Sequence, residues 1–419
     1  MAKYVIKQSL GLKGSVKISG SKNAVLPIMA ASLLCNEKIV LNNVPELKDV
    51  KIMKCILEDV GMTIEWDKDA EKIICQTEKI DKTEAEYDLV VQMRASFLVV
   101  GAILSREGYV KIPFPGGCAI GTRPIDLHLK GFSAMGAEIN QKHGFIELKA
   151  NKLVGNKIYL DFPSVGATEN IMIAAALAEG QTIIENPALE PEVVDLANFL
   201  NKMGADIKGA GTETIKINGV KQLNGTIHEI IPDRIEAGTY MIAGAISRGD
   251  ILIENIIADH LKPITAKLKE TGTVVEETES GLRVYTSEKI KSVDIKTMPY
   301  PGFPTDMQAE FMSLMSVSDG TSIMVETVFE NRYMHAGELN KMGADIKIDG
   351  RTAVVEGVKK LMGTQVKATD LRAGAGLVLA ALVAEGTTEI SDIYHIDRGY
   401  CKLEQKLKGL GVNIEMVEE

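Results

Sequence analysis

The nine letters LNKMGADIK stand at residues 200–208, and the same nine return at residues 339–347. They end one element and begin another. Leu and Met close an amphipathic helix, Gly supplies the left-handed cap that helix ends favour, and the apolar-polar alternation after it opens a strand. Looser copies lie on either side. LEDVGMTIE (57–65), FSAMGAEIN (132–140), LKETGTVVE (268–276) and LKGLGVNIE (407–415) keep the helix, the glycine and the strand. The six glycines, 61, 136, 204, 272, 343 and 411, are 75, 68, 68, 71 and 68 residues apart. Self-similarity at a fixed period marks a fold built from one repeated unit.

A second marker precedes each of these endings. A helix of small residues closes in a charged or glycine-containing turn, and a β-branched strand follows. AAALAEGQTIIEN (174–186), AGAISRGDILIEN (243–255) and AALVAEGTTEISD (380–392) show it most clearly. MAASLLCNEKIVLNN, FLVVGAILSREGYVKI and FMSLMSVSDGTSIMVE are the other three copies. Ahead of Gly61, the positions Val50, Met53, Leu57 and Val60 predict one buried stripe on a surface helix. The Ala-rich helix, nearly free of charge, predicts burial on most sides. Each unit of about 70 residues therefore carries a buried helix, a surface helix and roughly four strands. Such a unit is too large for a solenoid repeat. Three units in each of two α/β domains is the natural grouping, and six helix–strand units in one layered sheet is the alternative.

Length allows this, since 419 residues bury the cores of two ordinary domains. GTIHEIIPDRIEAGT (225–239) falls between the third and fourth units. The expected division is residues 21–229 as one domain and 1–20 with 230–419 as the other. The opening segment YVIKQSLGLKGSVKISG is expected to lend one strand to the second domain. The chain would then cross between the domains twice, and a cleft there is a favoured ligand site.

Composition excludes several classes of function. The net charge is −10 and the isoelectric point about 5.4, which argues against a nucleic-acid partner. The longest uncharged run, Asn23 to Asn36, has 14 residues, short of the roughly 20 a membrane span needs. With no apolar signal core at the start, a cytoplasmic protein is expected. Cys35, Cys55, Cys75, Cys118 and Cys401 are an odd, scattered set with no C-x-x-C pair, so no disulfide framework and no metal site are expected. Cys35 and Cys55 lie in apolar patterns and are expected to be buried. No cofactor is indicated.

Cys118 differs, because it sits in PFPGGCAIGTRP (113–124), a glycine-flanked loop with Arg123 five residues on. The starts of the six buried helices are unusual too. They carry Lys22-Asn23, Arg94, Ser164-Val165-Gly166, Asp233-Arg234, Asp306 and Arg372. Helix N-termini attract anions through free N–H groups and the helix dipole. Lys22 on its own could equally be a solvated lysine. Arg398 in YHIDRGY and Asn331-Arg332 in VFENRYMHAGEL occupy turns, and Arg332 could equally pair with Glu330. Brought together, Lys22, Arg94, Arg123, Arg372 and Arg398 would repel one another. Two charges about 4 Å apart cost roughly 4 kcal/mol at an effective dielectric near 20. Such a cluster makes sense against a polyanion, and guanidinium suits carboxylate and phosphate.

SGSKNAVLPIMAASLL, PGGCAIGTRPIDLH, SVGAT, PYPGFPTDMQ, FENRYMH, ATDLRAGA and HIDRGY, in this order along the whole chain, resemble the UDP-N-acetylglucosamine enolpyruvyl transferases of the EPSP synthase-like superfamily. The resemblance implies two inside-out α/β barrels built from six βαβαββ-type units. It implies transfer of enolpyruvyl from phosphoenolpyruvate to the 3-hydroxyl of UDP-N-acetylglucosamine through a tetrahedral phospho-ketal. That reaction is the first committed step of peptidoglycan synthesis. By the same resemblance Lys22, Arg123 and Arg398 hold phosphoenolpyruvate, with Arg372 near its carboxylate. Asn23 positions the sugar, Asp306 takes the proton of the 3-hydroxyl, and Cys118 delivers a proton to the methylene carbon. Arg94, Arg123, Pro124, Ile125, Asp126, Leu127, Ser164, Val165, Gly166 and Val328 line the nucleotide-sugar site. Phe162-Pro163 stands where members of the family carry a lysine, so a lysine contact to the diphosphate is missing from the pattern.

The resemblance also accounts for the cysteine loop as a lid. Its glycines give freedom to close, and closure would place Cys118 and Arg123 on the substrate and exclude water. A thiol with a pKa near 8.5 is mostly protonated at neutral pH, and nearby cations make its thiolate available. One position thus serves proton donation and covalent attack, and inhibition by the epoxide fosfomycin at Cys118 is expected. The rivals are a shikimate-pathway enolpyruvyl transferase of the same fold, a non-catalytic UDP-sugar sensor, and a redox role for Cys118.

Overall fold

A computed structural model describes residues 2–116 and 125–418. Cys118, Arg123 and Pro124 lie outside the described residues. The chain forms two compact units, residues 20–116 with 125–231, and residues 2–19 with 232–418. The expected breaks at 20/21 and 229/230 stand one and two residues from these.

Among the described residues, six separate sheets replace the layered alternative. In the unit of residues 20–231, three antiparallel triplets follow the three core helices. Ile39–Asn42 pairs with Lys72–Gln76 and that with Thr63–Asp67. Tyr109–Pro113, Phe145–Lys149 and Glu138–Lys142 form the second triplet. Gln181–Glu185, Thr214–Asn218 and Asp206–Lys208 form the third. A parallel fourth strand flanks two of them. Lys157–Tyr159 lies beside Gln181–Glu185, and Ile227–Glu229 lies beside Ile39–Asn42. The last strand of the unit therefore pairs with its first, and the ring closes.

The other unit repeats the plan with borrowed strands. Lys13–Lys17 runs parallel to Asp250–Glu254, and Ile295–Lys296 parallel to Thr321–Val325. In its third sheet Ala2–Lys7 inserts between Thr387–Ser391 and Ile414–Glu418. The N-terminal segment thus supplies two strands to two sheets, where one was expected. The alternation runs through the whole segment, but Gly11, at φ +67°, turns the chain between the halves. That is a backbone conformation open to glycine and costly to most other residues.

The core helices occupy the middle of each unit. Lys22–Ala31, Val99–Glu107 and Val165–Ala175 pack on one another in one; Arg234–Ile246, Gln308–Met315 and Leu371–Val383 do so in the other. Most of their residues are apolar and buried, and residues 24–31 of the first are buried without exception. A helix with no polar face can lie only inside. The outer helices are amphipathic. Val50, Met53, Leu57 and Val60 are all fully buried, as their spacing predicts. All six glycines of the repeat have positive φ, between +90° and +109°. Cys35, Cys75 and Cys401 are buried. Cys55 is exposed, a correction with a simple cause: it falls between Met53 and Leu57, off the buried stripe of Lys48–Asp59. Among the described residues no helix is long and apolar enough to cross a membrane.

Candidate active site

Every helix start singled out in the sequence begins a helix of the structure. Lys22 is the first residue of Lys22–Ala31, after Ser21, whose N–H donates to Ile231 O at 2.7 Å. Its side chain is 15% exposed, and its Nζ lies 3.4 Å from Oδ2 of Asp49, a buried carboxylate on the neighbouring outer helix. The freely solvated lysine is thereby set aside. Asn23, next to it, is half-buried.

Arg94, also half-buried, opens the short 3-10 helix Arg94–Leu98 that leads into the second core helix. Ser164 caps the third, its Oγ accepting from Ala167 N–H at 3.4 Å. A buried imidazole lies against this start. A Cβ on Gly166 would come 3.3 Å from His128 Cε1 and 3.4 Å from Nε2, so the Ser164–Val165–Gly166 turn lies against the His128 ring. Ile125 is buried, Leu127 half-buried and Asp126 exposed at the start of the helix that carries His128.

Asn170 fixes this arrangement. Its Nδ2 donates to Phe97 O at 2.8 Å and lies 3.1 Å from His128 Nδ1, while its Oδ1 accepts from Gly101 N–H at 2.8 Å. With both amide hydrogens committed, Nδ1 of His128 is the acceptor and the proton of the neutral ring sits on Nε2. Burial, reinforced by the charge of Arg94, pushes the imidazole down to about 3. A depressed histidine supports folding above its unfolded pKa near 6.5 and withdraws that support as pH falls toward 3. Urea unfolding at pH 7.5 and at pH 5 should therefore differ by roughly 2 kcal/mol on this account, and His128→Gln should remove the difference. An unchanged pH slope in the variant would exclude the imidazole as its source.

The other unit holds a tighter cluster. Asp306, in the 3-10 turn Thr305–Met307, stands between two buried guanidinium groups. Arg332 Nη2 is 2.7 Å from Oδ1, and Arg372 Nη2 is 3.1 Å from Oδ2. Burial is the largest single influence on Arg372 and works against its charge, but Asp306, Tyr400, Asp233 and Glu310 together outweigh it and the group stays cationic. Arg332 does not pair with Glu330, which meets Arg351 at 3.4 Å instead. The sequence left that choice open, and burial decides it, because Glu330 is exposed and Asp306 is half-buried.

Residues with no signal in the sequence hold this cluster. Glu326, 1% exposed, accepts from Thr305 Oγ1 (2.8 Å) and Thr297 Oγ1 (2.9 Å) and from the N–H groups of Val328 (2.8 Å) and Phe329 (3.2 Å). One buried carboxylate thereby ties Val328 to the Asp306 turn. Arg398 ends the 3-10 helix Ile393–Arg398 and is half-buried. Two residues on, Tyr400 Oη accepts from Arg372 Nη1 at 3.3 Å and anchors that segment to Arg372. Asp233 caps Arg234–Ile246 and adds to the field on Arg372, and Arg234 stacks on Tyr300. Within this unit, two buried guanidinium groups around one carboxylate suit an anionic substrate and deprotonation of a hydroxyl.

Known proteins resemble this chain over its whole length. UDP-N-acetylglucosamine 1-carboxyvinyltransferase 1 of Caldanaerobacter subterraneus subsp. tengcongensis is 60% identical over 98% of this chain and 99% of its own length. The chain belongs to the family of the UDP-N-acetylglucosamine 1-carboxyvinyltransferases. A further member, enzyme 2 of Carboxydothermus hydrogenoformans, is 57% identical over the full length of both chains. The model of the wider family, EPSP synthase (3-phosphoshikimate 1-carboxyvinyltransferase), matches residues 6–407. Among solved structures, the enolpyruvyl transferase NikO from Streptomyces tendae superposes with a TM-score of 0.90 at 26% identity over 99% of each chain. EPSP synthase from Acinetobacter baumannii shares the fold, with a TM-score of 0.78 at 18% identity over the whole of both chains.

Proposed function

We propose that this chain transfers the enolpyruvyl group of phosphoenolpyruvate to the 3-hydroxyl of UDP-N-acetylglucosamine and releases phosphate. The observation that carries the reading is the Asp306 carboxylate fixed between Arg332 and Arg372, in a chain whose full-length relatives are named for this activity. Asp306 accepts the proton of the 3-hydroxyl as its oxygen attacks C2 of phosphoenolpyruvate. Cys118 gives a proton to the methylene carbon, which yields the tetrahedral phospho-ketal. Loss of a proton from the new methyl group and departure of phosphate from C2 then give the enolpyruvyl ether. Lys22, Arg123 and Arg398 neutralise the phosphate, and Arg372 faces the carboxylate. Asn23 orients the sugar. Arg94, Arg123 to Leu127, Ser164 to Gly166 and Val328 bind the nucleotide sugar. The reading implies a cytoplasmic enzyme at the entry to peptidoglycan synthesis, alkylated at Cys118 by fosfomycin.

Phosphate release with phosphoenolpyruvate and UDP-N-acetylglucosamine tests it, with shikimate 3-phosphate as the parallel acceptor. Release with the nucleotide sugar alone, slowed in Cys118→Ser, is the expected result. Release with shikimate 3-phosphate instead would assign the other acceptor. Tight UDP-sugar binding without release would leave a sensor.

A further inference from the structure

Behind Arg372 lies a buried acid that the reaction above does not use. Glu310, on the core helix Gln308–Met315, is fully buried. Its Oε1 is 3.1 Å from Tyr400 Oη, and its Oε2 has no hydrogen-bond partner among the described residues. Tyr400 Oη is also 2.8 Å from Thr239 Oγ1, which in turn lies 2.9 Å from Ile235 O. Arg372 Nη1 donates to the same Tyr400 Oη, and Arg372 Nη2 reaches Asp306.

Counting protons gives this chain two complete arrangements. A guanidinium can only donate, so the single phenolic proton goes either to Thr239 or to Glu310. With Glu310 protonated, the bonds run from Glu310 to Tyr400, from Tyr400 to Thr239 and from Thr239 to Ile235 O. With Glu310 ionised they reverse: Thr239 donates to Tyr400 and Tyr400 to Glu310. The two arrangements differ by one negative charge placed one hydroxyl away from the guanidinium that holds Asp306.

We propose that Glu310 is a positioning residue that acts through Tyr400 on Arg372. As the neutral acid it leaves the charge of Arg372 to Asp306 and an anionic substrate; ionised, it takes a share of that charge and weakens the hold on the substrate carboxylate. This rests on the reading that Arg372 meets phosphoenolpyruvate.

The surroundings favour the neutral acid at physiological pH. Burial, opposed by the charge of Arg372, pushes Glu310 up to about 8. The charged and titratable groups facing it come from each element around it. They are Arg372 from Leu371–Val383, Arg332 from the segment before Met334–Lys341, and Tyr400; further groups on the packed elements are Glu236 and Tyr240 on Arg234–Ile246 and His335 on Met334–Lys341. Burial holds His335 down to about 4 and raises both tyrosines, while Glu236, also raised by burial, is paired with Lys406 at 2.6 Å.

The test is the pH dependence of KM for phosphoenolpyruvate, measured between pH 6.5 and 9.5 alongside KM for the nucleotide sugar. The wild-type KM for phosphoenolpyruvate should rise about three- to tenfold between pH 7 and 9 while that for the nucleotide sugar does not follow. Glu310→Gln, which carries no proton to lose, should flatten the rise. Tyr400→Phe, which breaks the link and keeps the ring, should flatten it too and stands as the test if Glu310→Gln does not fold. The same rise in both variants, or no rise in the wild type, overturns the inference. Absence of any phosphate release by the wild type would instead overturn the reading beneath it.

Discussion

Replacing Asp306 by asparagine is expected to lower kcat by roughly two to four orders of magnitude, the range over which a positioned general base acts. Asparagine fills the same space and can still accept from one guanidinium, but it cannot take a proton from a hydroxyl. It also leaves Arg332 and Arg372, 5% and 4% exposed, without the charge that balances them. Removing one partner of a buried pair costs about 3–5 kcal/mol, and the partial exposure of Asp306 brings the figure to roughly 2–4 kcal/mol. Two measurements separate the effects. A melting curve reports the lost pairing, and kcat at a temperature where the variant is folded reports the lost base. A folded variant that retains kcat within tenfold of wild type would remove Asp306 from the chemistry.

A change far from any reacting atom should cost nearly as much. Gly101→Ala places a Cβ 2.5 Å from both Asn170 O and Asn170 Oδ1. The two core helices meet there with no room for a side chain. Overfilling a packed core costs about 1–3 kcal/mol, and the buried amide it displaces adds a similar amount. Asn170 is the group that fixes His128 and joins the second and third core helices. The expected result is a loss of roughly 3–5 kcal/mol in denaturant unfolding together with a raised KM for the nucleotide sugar. If stability falls and that KM is unchanged, the helix contact does not position Ser164–Gly166 for binding.

Much of the architecture was legible because it is local and repeated. The six glycines, the apolar helices and the stripe at Val50, Met53, Leu57 and Val60 are set by neighbours in the chain, and the structure has them all. What was missed depends on distant partners. That Ala2–Lys7 and Lys13–Lys17 enter different sheets follows from pairing with strands hundreds of residues away. Arg332 choosing Asp306 over the nearer Glu330 follows from burial, which its own segment does not reveal. Glu326 and Glu310 look like ordinary acidic residues, and only the fold turns one into a hub of N–H and hydroxyl bonds and the other into a raised acid. Of the residues singled out, the starts of core helices were found through the repeat. Cys118, Arg123 and Pro124 were found through the loop motif and lie outside the described residues.

The strand Ala2–Lys7 pairs on one side with Thr387–Ser391 and on the other with Ile414–Glu418. During synthesis it is made well before either neighbour, both of which lie almost the whole chain away. At about 5–20 residues per second it waits roughly 20–80 seconds for them. In the unit of residues 20–116 with 125–231, by contrast, the strand that closes on Ile39–Asn42, Ile227–Glu229, arrives with the unit's own end. Translation order therefore lets one unit finish while the other cannot seal until Ile414–Glu418 has been made. Until then the segment lacks both of its partners, and its charged residues Lys3 and Lys7 disfavour pairing with other strands.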